Sequence, residues 1–96
     1  MLANEIREFV SEKSPETLFI GNESEHDSAL IGLAYIKRDD TWVYVTMYEY
    51  SLLVESFIDM FEDSEDPETD AIEWISYNVS GAYVGIYTPM VISSEL

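Results

Sequence analysis

Apolar residues recur along this chain with two different periods, and the changes of period divide it into helices and strands. Near the start, they recur at helical spacing as far as Val10. This predicts a short amphipathic helix that ends near Lys13, because Ser14 precedes a proline. A brief apolar run at residues 18–20 follows and stops at Gly21. It predicts a short strand and a turn.

A β-hairpin is predicted in the middle of the chain. Residues 28–37 are apolar without alternation, which is typical of a strand covered on both faces. Residues 41–48 alternate strictly, with Trp42 and Tyr44 on the same face. Because only residues 38–40 separate the two runs, we expect them to pair as an antiparallel hairpin.

Two helices joined by an acidic turn are predicted next. The first extends from about Tyr50 to Glu62, where apolar residues again recur at helical spacing. The second begins at Asp66, since aspartate caps a helix N-terminus and Pro67 suits the first helical position. Gly81 is the expected end of this second helix.

The order of these elements predicts one α+β domain over residues 1–96. It contains a small, mainly antiparallel sheet, completed by a last strand at residues 90–92. An N-terminal helix and the acidic helix–turn–helix hairpin pack on one face of that sheet. Ninety-six residues leave no room for two independent cores, and a hydrophobic fraction of 47% is enough to fill one.

Charge is the property that changes this picture most. The chain has 20 acidic and 4 basic residues, a formal net charge of −16, and none of the bases lies in residues 39–96. Such a chain repels phosphate backbones and anionic lipids, so we expect neither direct nucleic-acid binding nor membrane binding. There is no cysteine, no signal-peptide pattern and no membrane-length apolar run, so we expect a cytoplasmic protein.

The candidates for catalysis and metal binding are weak. His26 stands between Glu25 and Asp27 in a polar loop, where we expect a solvated side chain. No serine lies in a nucleophile-elbow pattern. Residues 63–70 are rich in oxygen ligands but lack the glycine of a calcium-binding EF-hand loop. The sequence therefore predicts no catalytic residue, no metal site and no cofactor.

The aromatic residues are expected to pack in the core or at its rim. A surface that stacks nucleic-acid bases also needs basic residues, and none lies near these aromatics in the sequence. The residues concerned are Trp42, Tyr44, Tyr48, Tyr50, Trp74, Tyr77, Tyr83 and Tyr87.

The acidic hairpin is the strongest candidate for a binding surface. Like charges four residues apart on a helix cost about 0.2–0.5 kcal/mol per pair, and ordinary surfaces avoid this cost by interspersing lysines. On one helix, Glu55, Asp59 and Glu62 would form a row with steps of about 6 Å and 4.5 Å, comparable to phosphates on a nucleic-acid strand. The predicted partner-binding residues are Glu55, Asp59, Glu62, Asp63, Glu65, Asp66, Asp70 and Glu73.

Six short segments carry a resemblance to known proteins. They are ALIGLA at residues 29–34, YEY at 48–50, VE at 54–55, AIEWISYN at 71–78, GAYVG at 81–85 and TP at 88–89. On these segments the chain resembles a family of short, mostly uncharacterised proteins encoded by phages, prophages and other mobile elements. The family supplies no catalytic residue or cofactor, and its usual linker differs from the acidic EDSEDPETD found here at residues 62–70.

The resemblance implies a class of function by analogy of size and charge. Small, very acidic phage proteins are often inhibitors of host defence, including DNA mimics of the anti-CRISPR and anti-restriction type. The expected partner is then a host nucleic-acid-binding protein with a basic surface, such as a CRISPR effector or a restriction enzyme. Two alternatives stay open. One is an accessory or structural phage protein that self-associates, for example as a homodimer, through Trp42, Tyr44 and the sheet edge. The other is a small enzyme that uses His26.

Overall fold

The structure, a computed structural model, describes residues 2–21, 23–80 and 83–93. Its helices and strands are α1 (Ala3–Lys13), β1 (Leu30–Arg38), β2 (Thr41–Glu49), α2 (Tyr50–Ile58), α3 (Pro67–Ile75) and β3 (Met90–Ile92). Short 3₁₀ turns at Asp27–Ala29 and Asp59–Phe61 precede β1 and follow α2, and a π-helical turn at Ser76–Ser80 continues α3. The predicted α+β class is confirmed.

The sheet has three strands in the order β1-β2-β3. β1 and β2 pair antiparallel, with Arg38 opposite Thr41 and an irregularity between Leu30 and Gly32. β2 and β3 pair in parallel over three residues, with Met47 opposite Met90. The sheet is therefore mixed, with an antiparallel hairpin as its larger part.

The hairpin turn consists of two residues in the left-handed region. Asp39 has a φ of 51° and Asp40 a φ of 61°. Positive φ at both central positions is the requirement of a type I′ turn, whose twist matches that of the flanking strands. Aspartate tolerates this conformation better than most residues, so the local sequence fits the turn.

One core cluster joins the helices to the sheet. Tyr48 of β2 is fully buried at its centre, and its hydroxyl accepts a hydrogen bond of 3.0 Å from the backbone N–H of Ile20. Burial raises the pKa of Tyr48, so the side chain stays a neutral phenol. The other buried members are Ile6, Val10, Ile20, Ala29, Leu30, Leu53, Val54, Phe57, Ala71 and Ile75.

The strand predicted at residues 18–20 does not form, so that prediction is wrong. This segment instead lies along β2 and is held largely by side chains. Thr17 Oγ1 donates to the carbonyl of Tyr44, and Thr46 Oγ1 donates to the carbonyl of Leu18, both at 2.7 Å. Because hydroxyl groups satisfy these backbone groups, the segment is fixed without a backbone ladder.

β1 is not covered on both faces, which corrects the prediction from its apolar run. Ile31 is 40% exposed and Tyr35 is 56% exposed. The ring of Tyr35 instead packs on two rings of β2, 5.4 Å from Trp42 and 4.6 Å from Tyr44 between centroids. Cross-strand aromatic contacts therefore take the place of a covering layer.

The acidic hairpin has the predicted order of elements, helix, turn and helix, but its first helix ends earlier than predicted. α2 ends at Ile58 and tightens into the 3₁₀ turn, so it is shorter than the predicted helix to Glu62. α3 begins as predicted, with Pro67 in its first turn and the Asp66 carboxylate accepting a 3.2 Å bond from the Thr69 N–H. The predicted stop at Gly81 lies outside the described residues.

Candidate functional site

The eight predicted partner-binding carboxylates all belong to the acidic hairpin, and we call them the acidic face. They are Glu55, Asp59, Glu62, Asp63, Glu65, Asp66, Asp70 and Glu73. Asp70 is half-buried and the others are exposed. In the part of the chain that the structure describes, the ion pairs join Arg7 to Asp27 and Lys37 to Asp40. No described lysine or arginine therefore pairs with the acidic face.

Two members of the acidic face also shape its turn. Asp66 accepts from the N–H of Thr69 and, at 2.7 Å, from its hydroxyl, and these bonds lower the pKa of Asp66. Asp70 accepts a hydrogen bond from the hydroxyl of Ser64. Local bonding thus fixes the path of the turn that carries the remaining carboxylates.

The α-helical row predicted for Glu55, Asp59 and Glu62 does not form. Only Glu55 lies within α2, while Asp59 belongs to the 3₁₀ turn and Glu62 follows it. A 3₁₀ turn rises about 2.0 Å per residue and has 3.0 residues per turn, so the steps of an α-helix do not apply beyond Ile58. The charges stay close in sequence and exposed, but they do not form a regular helical ladder.

His26 is buried, which overturns the prediction of a solvated loop side chain. The residue is 3% exposed, and its ring stacks on Phe57 with centroids 4.0 Å apart and planes 16° from parallel. Its Nδ1 lies 2.9 Å from the Oγ of Ser56. The loop histidine therefore packs against α2, and its polar sequence neighbours give no sign of this.

Arg7 of α1 holds the loop that carries His26. Its guanidinium donates to both carboxylate oxygens of Asp27, at 2.9 and 2.7 Å, and also to the carbonyl of Glu23. The same group lies 4.3 Å from the ring centroid of Phe19. A bidentate arginine–carboxylate pair fixes orientation as well as distance, so α1 positions this loop against the core.

The protonation of His26 follows from its partners. Ser56 Oγ lies 2.7 Å from the carbonyl of Leu53, which can only accept, so the single hydroxyl proton is used there. Ser56 Oγ must then accept from Nδ1, which places the ring proton on Nδ1. Burial lowers the pKa of His26 below 6.5, against the opposing effect of Glu25 and Asp27. The ring is therefore neutral at pH 7, with a lone pair on Nε2.

A pocket of about 450 Å³ opens beside this ring. Its lining comes from the segment after α1, from α2 and α3 with the turns that follow each of them, and from the C-terminal segment. Most of the lining side chains are apolar, and the polar exceptions include His26, Asn78 and Thr88. The remaining lining residues are Leu18, Phe19, Ile20, Gly21, Glu25, Phe57, Met60, Trp74, Val79, Val84 and Pro89.

No family model, curated protein or solved structure matches this chain. The resemblance to phage-encoded proteins, and the function that it implies, therefore stay predictions. What supports a function is the chemistry of the surfaces and the pocket of this chain.

Arg38 ties the C-terminal wall of the pocket to the sheet. Its Nη1 donates to the carbonyls of Ile86 and Thr88, both at 2.9 Å. Thr88 is buried, and its Oγ1 donates to the carbonyl of Gly85 and accepts from the N–H of Val84. The wall thus has defined hydrogen bonds even though it forms no helix or strand there.

Several aromatic residues expected in the core lie at the surface. The prediction holds for Tyr48, which is buried, and fails for Trp42, Trp74, Tyr77 and Tyr83. Trp42 and Tyr35 are each 56% exposed, and Tyr44 contacts both Tyr35 and, edge to face, Phe9 of α1. We call Tyr35, Trp42 and Tyr44 the aromatic cluster.

Two other kinds of site are absent from the described residues. No group of three or more histidine and carboxylate side chains is arranged to hold a metal ion in that part of the chain. Among the same residues, no helix has both the length and the apolar character needed to cross a bilayer.

Proposed function

We propose that this protein is a non-catalytic binding protein that acts by DNA mimicry. Its acidic face would block the basic nucleic-acid-binding surface of a host enzyme, as a phage-encoded anti-CRISPR or anti-restriction inhibitor does. The observation that supports this proposal is the exposure of the acidic face without a described cationic partner. The resemblance to phage proteins supplies the choice of host enzymes.

Electrostatics favours a cationic partner for this surface. Ten acidic residues and no basic residue lie between Glu49 and Glu73, so the face repels itself in the unbound protein. A basic partner relieves this repulsion and steers the encounter, which raises the association rate and makes it sensitive to salt. Arginine and lysine side chains that normally contact phosphates can contact carboxylates in the same way.

The shape of the acidic turn also suits binding. Asp66 and Asp70 are held by hydrogen bonds with Thr69 and Ser64. A turn that is ordered before binding loses less conformational entropy when the complex forms. The carboxylates of the acidic face are therefore presented on a pre-formed surface.

A pull-down from bacterial lysate tests the proposal. The wild-type protein is compared at about 0.1 M and about 0.5 M salt, since the screening length falls well below about 10 Å at the higher concentration. A Glu55/Asp59/Glu62→Gln variant removes three charges from the acidic face. A Glu8/Glu12/Glu16→Gln variant removes three exposed charges from α1 and the residues after it, and serves as the matched control.

We expect one dominant nucleic-acid-handling enzyme to be captured by the wild type and by the control. It should be lost with the acidic-face variant and at high salt. A DNA duplex should then compete with the protein for the purified enzyme. Capture that is indifferent to the acidic-face substitutions, or an enzyme that binds DNA and this protein at the same time, would contradict DNA mimicry.

The aromatic cluster favours a second candidate, an accessory protein that self-associates. Tyr35 and Trp42 place two large rings side by side on the surface, and exposed apolar patches often mark protein–protein contacts. Sedimentation of the wild type and a Tyr35→Ser/Trp42→Ser variant tests this function. A homodimer that this variant dissociates, and that the acidic-face variant leaves intact, would favour self-association.

A further inference from the structure

The pocket beside His26 is separate from the acidic face, because none of the eight carboxylates lines it. We propose that this pocket binds a small, uncharged, ring-containing molecule that donates a hydrogen bond from an O–H or N–H group. Its volume of about 450 Å³ is in the range of small-molecule sites, about 300–1,000 Å³. Mainly apolar walls with a few polar groups are also typical of such sites.

The acceptor for this hydrogen bond is Nε2 of His26. Nδ1 is engaged by Ser56, and the structure records no partner for Nε2 among the described residues. Every fully buried side-chain nitrogen or oxygen in that part of the chain has a hydrogen bond. Nε2 is therefore not sealed in the core, and the space that the ring borders is the pocket.

The histidine is fixed in a way that suits recognition. The stack on Phe57 sets the plane of the ring, and the bond to Ser56 sets its rotation and its tautomer. A lone pair that is held in a mostly apolar pocket gains more from a donor than one in open water does. The geometry thus selects ligands that carry a donor at the correct depth.

The negative charge of the protein selects against anionic ligands, and the apolar walls of the pocket select against cationic ones. The net charge of −16, with Glu25 in the lining, disfavours a carboxylate or phosphate. A cation would lose its hydration against walls such as Met60, Val79 and Val84. Aromatic and aliphatic walls instead favour a neutral ring, which Phe57 and Trp74 can contact through dispersion.

Three probes of similar shape test the proposal on the wild-type protein. They are p-cresol, which is neutral and donates a hydrogen bond, toluene, which cannot donate, and p-toluate, which is anionic. Binding is followed by NMR through the methyl signals of Ile20, Met60, Val79 and Val84, which line the pocket. We expect saturable shifts with p-cresol, about tenfold weaker binding of toluene, as suits the loss of one hydrogen bond, and no saturable shifts with p-toluate.

Two variants test the hydrogen bond to Nε2 and the volume of the pocket separately. His26→Phe keeps a ring on Phe57 and removes Nε2, so p-cresol and toluene should bind it with equal affinity. Val79→Trp fills the pocket and should abolish the binding of both. If either variant fails to fold, the three probes on the wild-type protein decide the question alone.

The proposal is overturned by p-cresol shifts that are diffuse or do not saturate, by equal binding of p-cresol and toluene to the wild type, or by a folded Val79→Trp variant that binds as the wild type does. The site is independent of the acidic face. The Glu55/Asp59/Glu62→Gln variant should accordingly bind p-cresol with wild-type affinity, whatever its effect on protein partners.

Discussion

His26 is a buried neutral ring in a loop whose sequence is mostly polar. Burial lowers its pKa below 6.5, so its protonation favours the unfolded chain, in which the pKa has its ordinary value. The stability that its neutral form contributes is complete above pH 6.5. It is lost as the pH falls from there through the lower pKa of the folded protein. We therefore expect the free energy of unfolding to decrease between pH 7.5 and pH 5, as measured by urea titration.

A His26→Gln variant is the control for this pH dependence. Glutamine does not titrate, so the variant should lose less stability than the wild type over the same pH range. Glu25 and Asp27, the charged neighbours of the ring, are present in both proteins, so their contribution to the pH profile is common to the two. Parallel pH profiles of the two proteins would show that His26 is not the titrating group.

Gly21 gives a second prediction, because it adjoins the ring of His26. Its φ is +88°, and a Cβ placed on it would lie 2.6 Å from Glu25 Oε1 and 2.9 Å from His26 Cδ2. Gly21→Ala should lower the free energy of unfolding by more than the roughly 1–2 kcal/mol of a left-handed backbone alone. It should also shift the ring signals of His26 in NMR spectra.

Gly85 supplies the matched comparison. Its φ is +115°, but a Cβ there would meet no atom within 4 Å. Gly85→Ala therefore tests the backbone cost without the collision, and we expect a smaller loss of stability and unchanged His26 signals. If Gly21→Ala leaves the His26 signals as unchanged as Gly85→Ala does, the predicted contact between position 21 and the ring is absent.

The role of a single residue could be predicted from the sequence where it depends on nearby residues, and not where it depends on distant ones. The sequence predicts Asp66 as a helix cap because its effect is local, on the N–H of Thr69 three residues away. The burial of His26 depends instead on Phe57, Ser56 and Arg7, which are far from it in sequence. No local pattern encodes such contacts, so the pocket could not be predicted either.

Glu49 joins two elements, since it ends β2 and caps α2. It is buried, and its carboxylate accepts from the N–H of Leu52 at 2.9 Å and from the hydroxyl of Ser51 at 3.2 Å. Glu49→Ala should lower the free energy of unfolding by about 0.5–2 kcal/mol, as measured by urea titration, because it leaves the N–H of Leu52 without this acceptor. Glu49→Gln keeps an acceptor and should lose less.

An exposed glutamate on the same helix is the control. Glu55→Ala removes the same charge without removing a cap, so its effect should stay within about 0.5 kcal/mol. A Glu49→Ala variant as stable as Glu55→Ala would show that the start of α2 does not depend on this side chain.

Helices and strands in which apolar residues recur regularly could be predicted well from the sequence. The contacts between these elements could be predicted less well. The β-hairpin and the three helices follow from local spacing, and β3 was placed at the correct residues. The parallel pairing of β3 with β2 joins residues more than forty positions apart, which periodicity does not report. The apolar run at residues 18–20 predicts a strand, whereas the segment is held by the hydroxyl groups of Thr17, Thr46 and Tyr48.

Charge acts at the scale of the whole molecule. A formal charge of −16 is carried by a body with extents of 43 × 28 × 26 Å. At about 0.01 M salt the Debye length is about 30 Å, so charges interact across much of the protein. At about 0.1 M it is about 10 Å, and mainly neighbouring charges, such as those of the acidic face, still repel one another.

We therefore expect salt to stabilise the folded protein. Raising NaCl from about 0.01 M to about 0.2 M should raise the thermal midpoint by several degrees, because about 1 kcal/mol corresponds to about 4–8 °C in a domain of this size. Calorimetry or circular dichroism measures the change. The Glu55/Asp59/Glu62→Gln variant should be more stable than the wild type at low salt and should gain less from added salt.

The Glu8/Glu12/Glu16→Gln variant decides where the repulsion originates. It has the same net charge as the acidic-face variant, but its substitutions lie near Arg7 and Lys13 in the sequence. If the repulsion is concentrated in the acidic face, this control should keep most of the wild-type salt dependence. Equal salt dependence of the two variants would mean that only the total charge matters. The acidic face would then carry no special cost for a basic partner to relieve, and self-association through the aromatic cluster would become the better explanation.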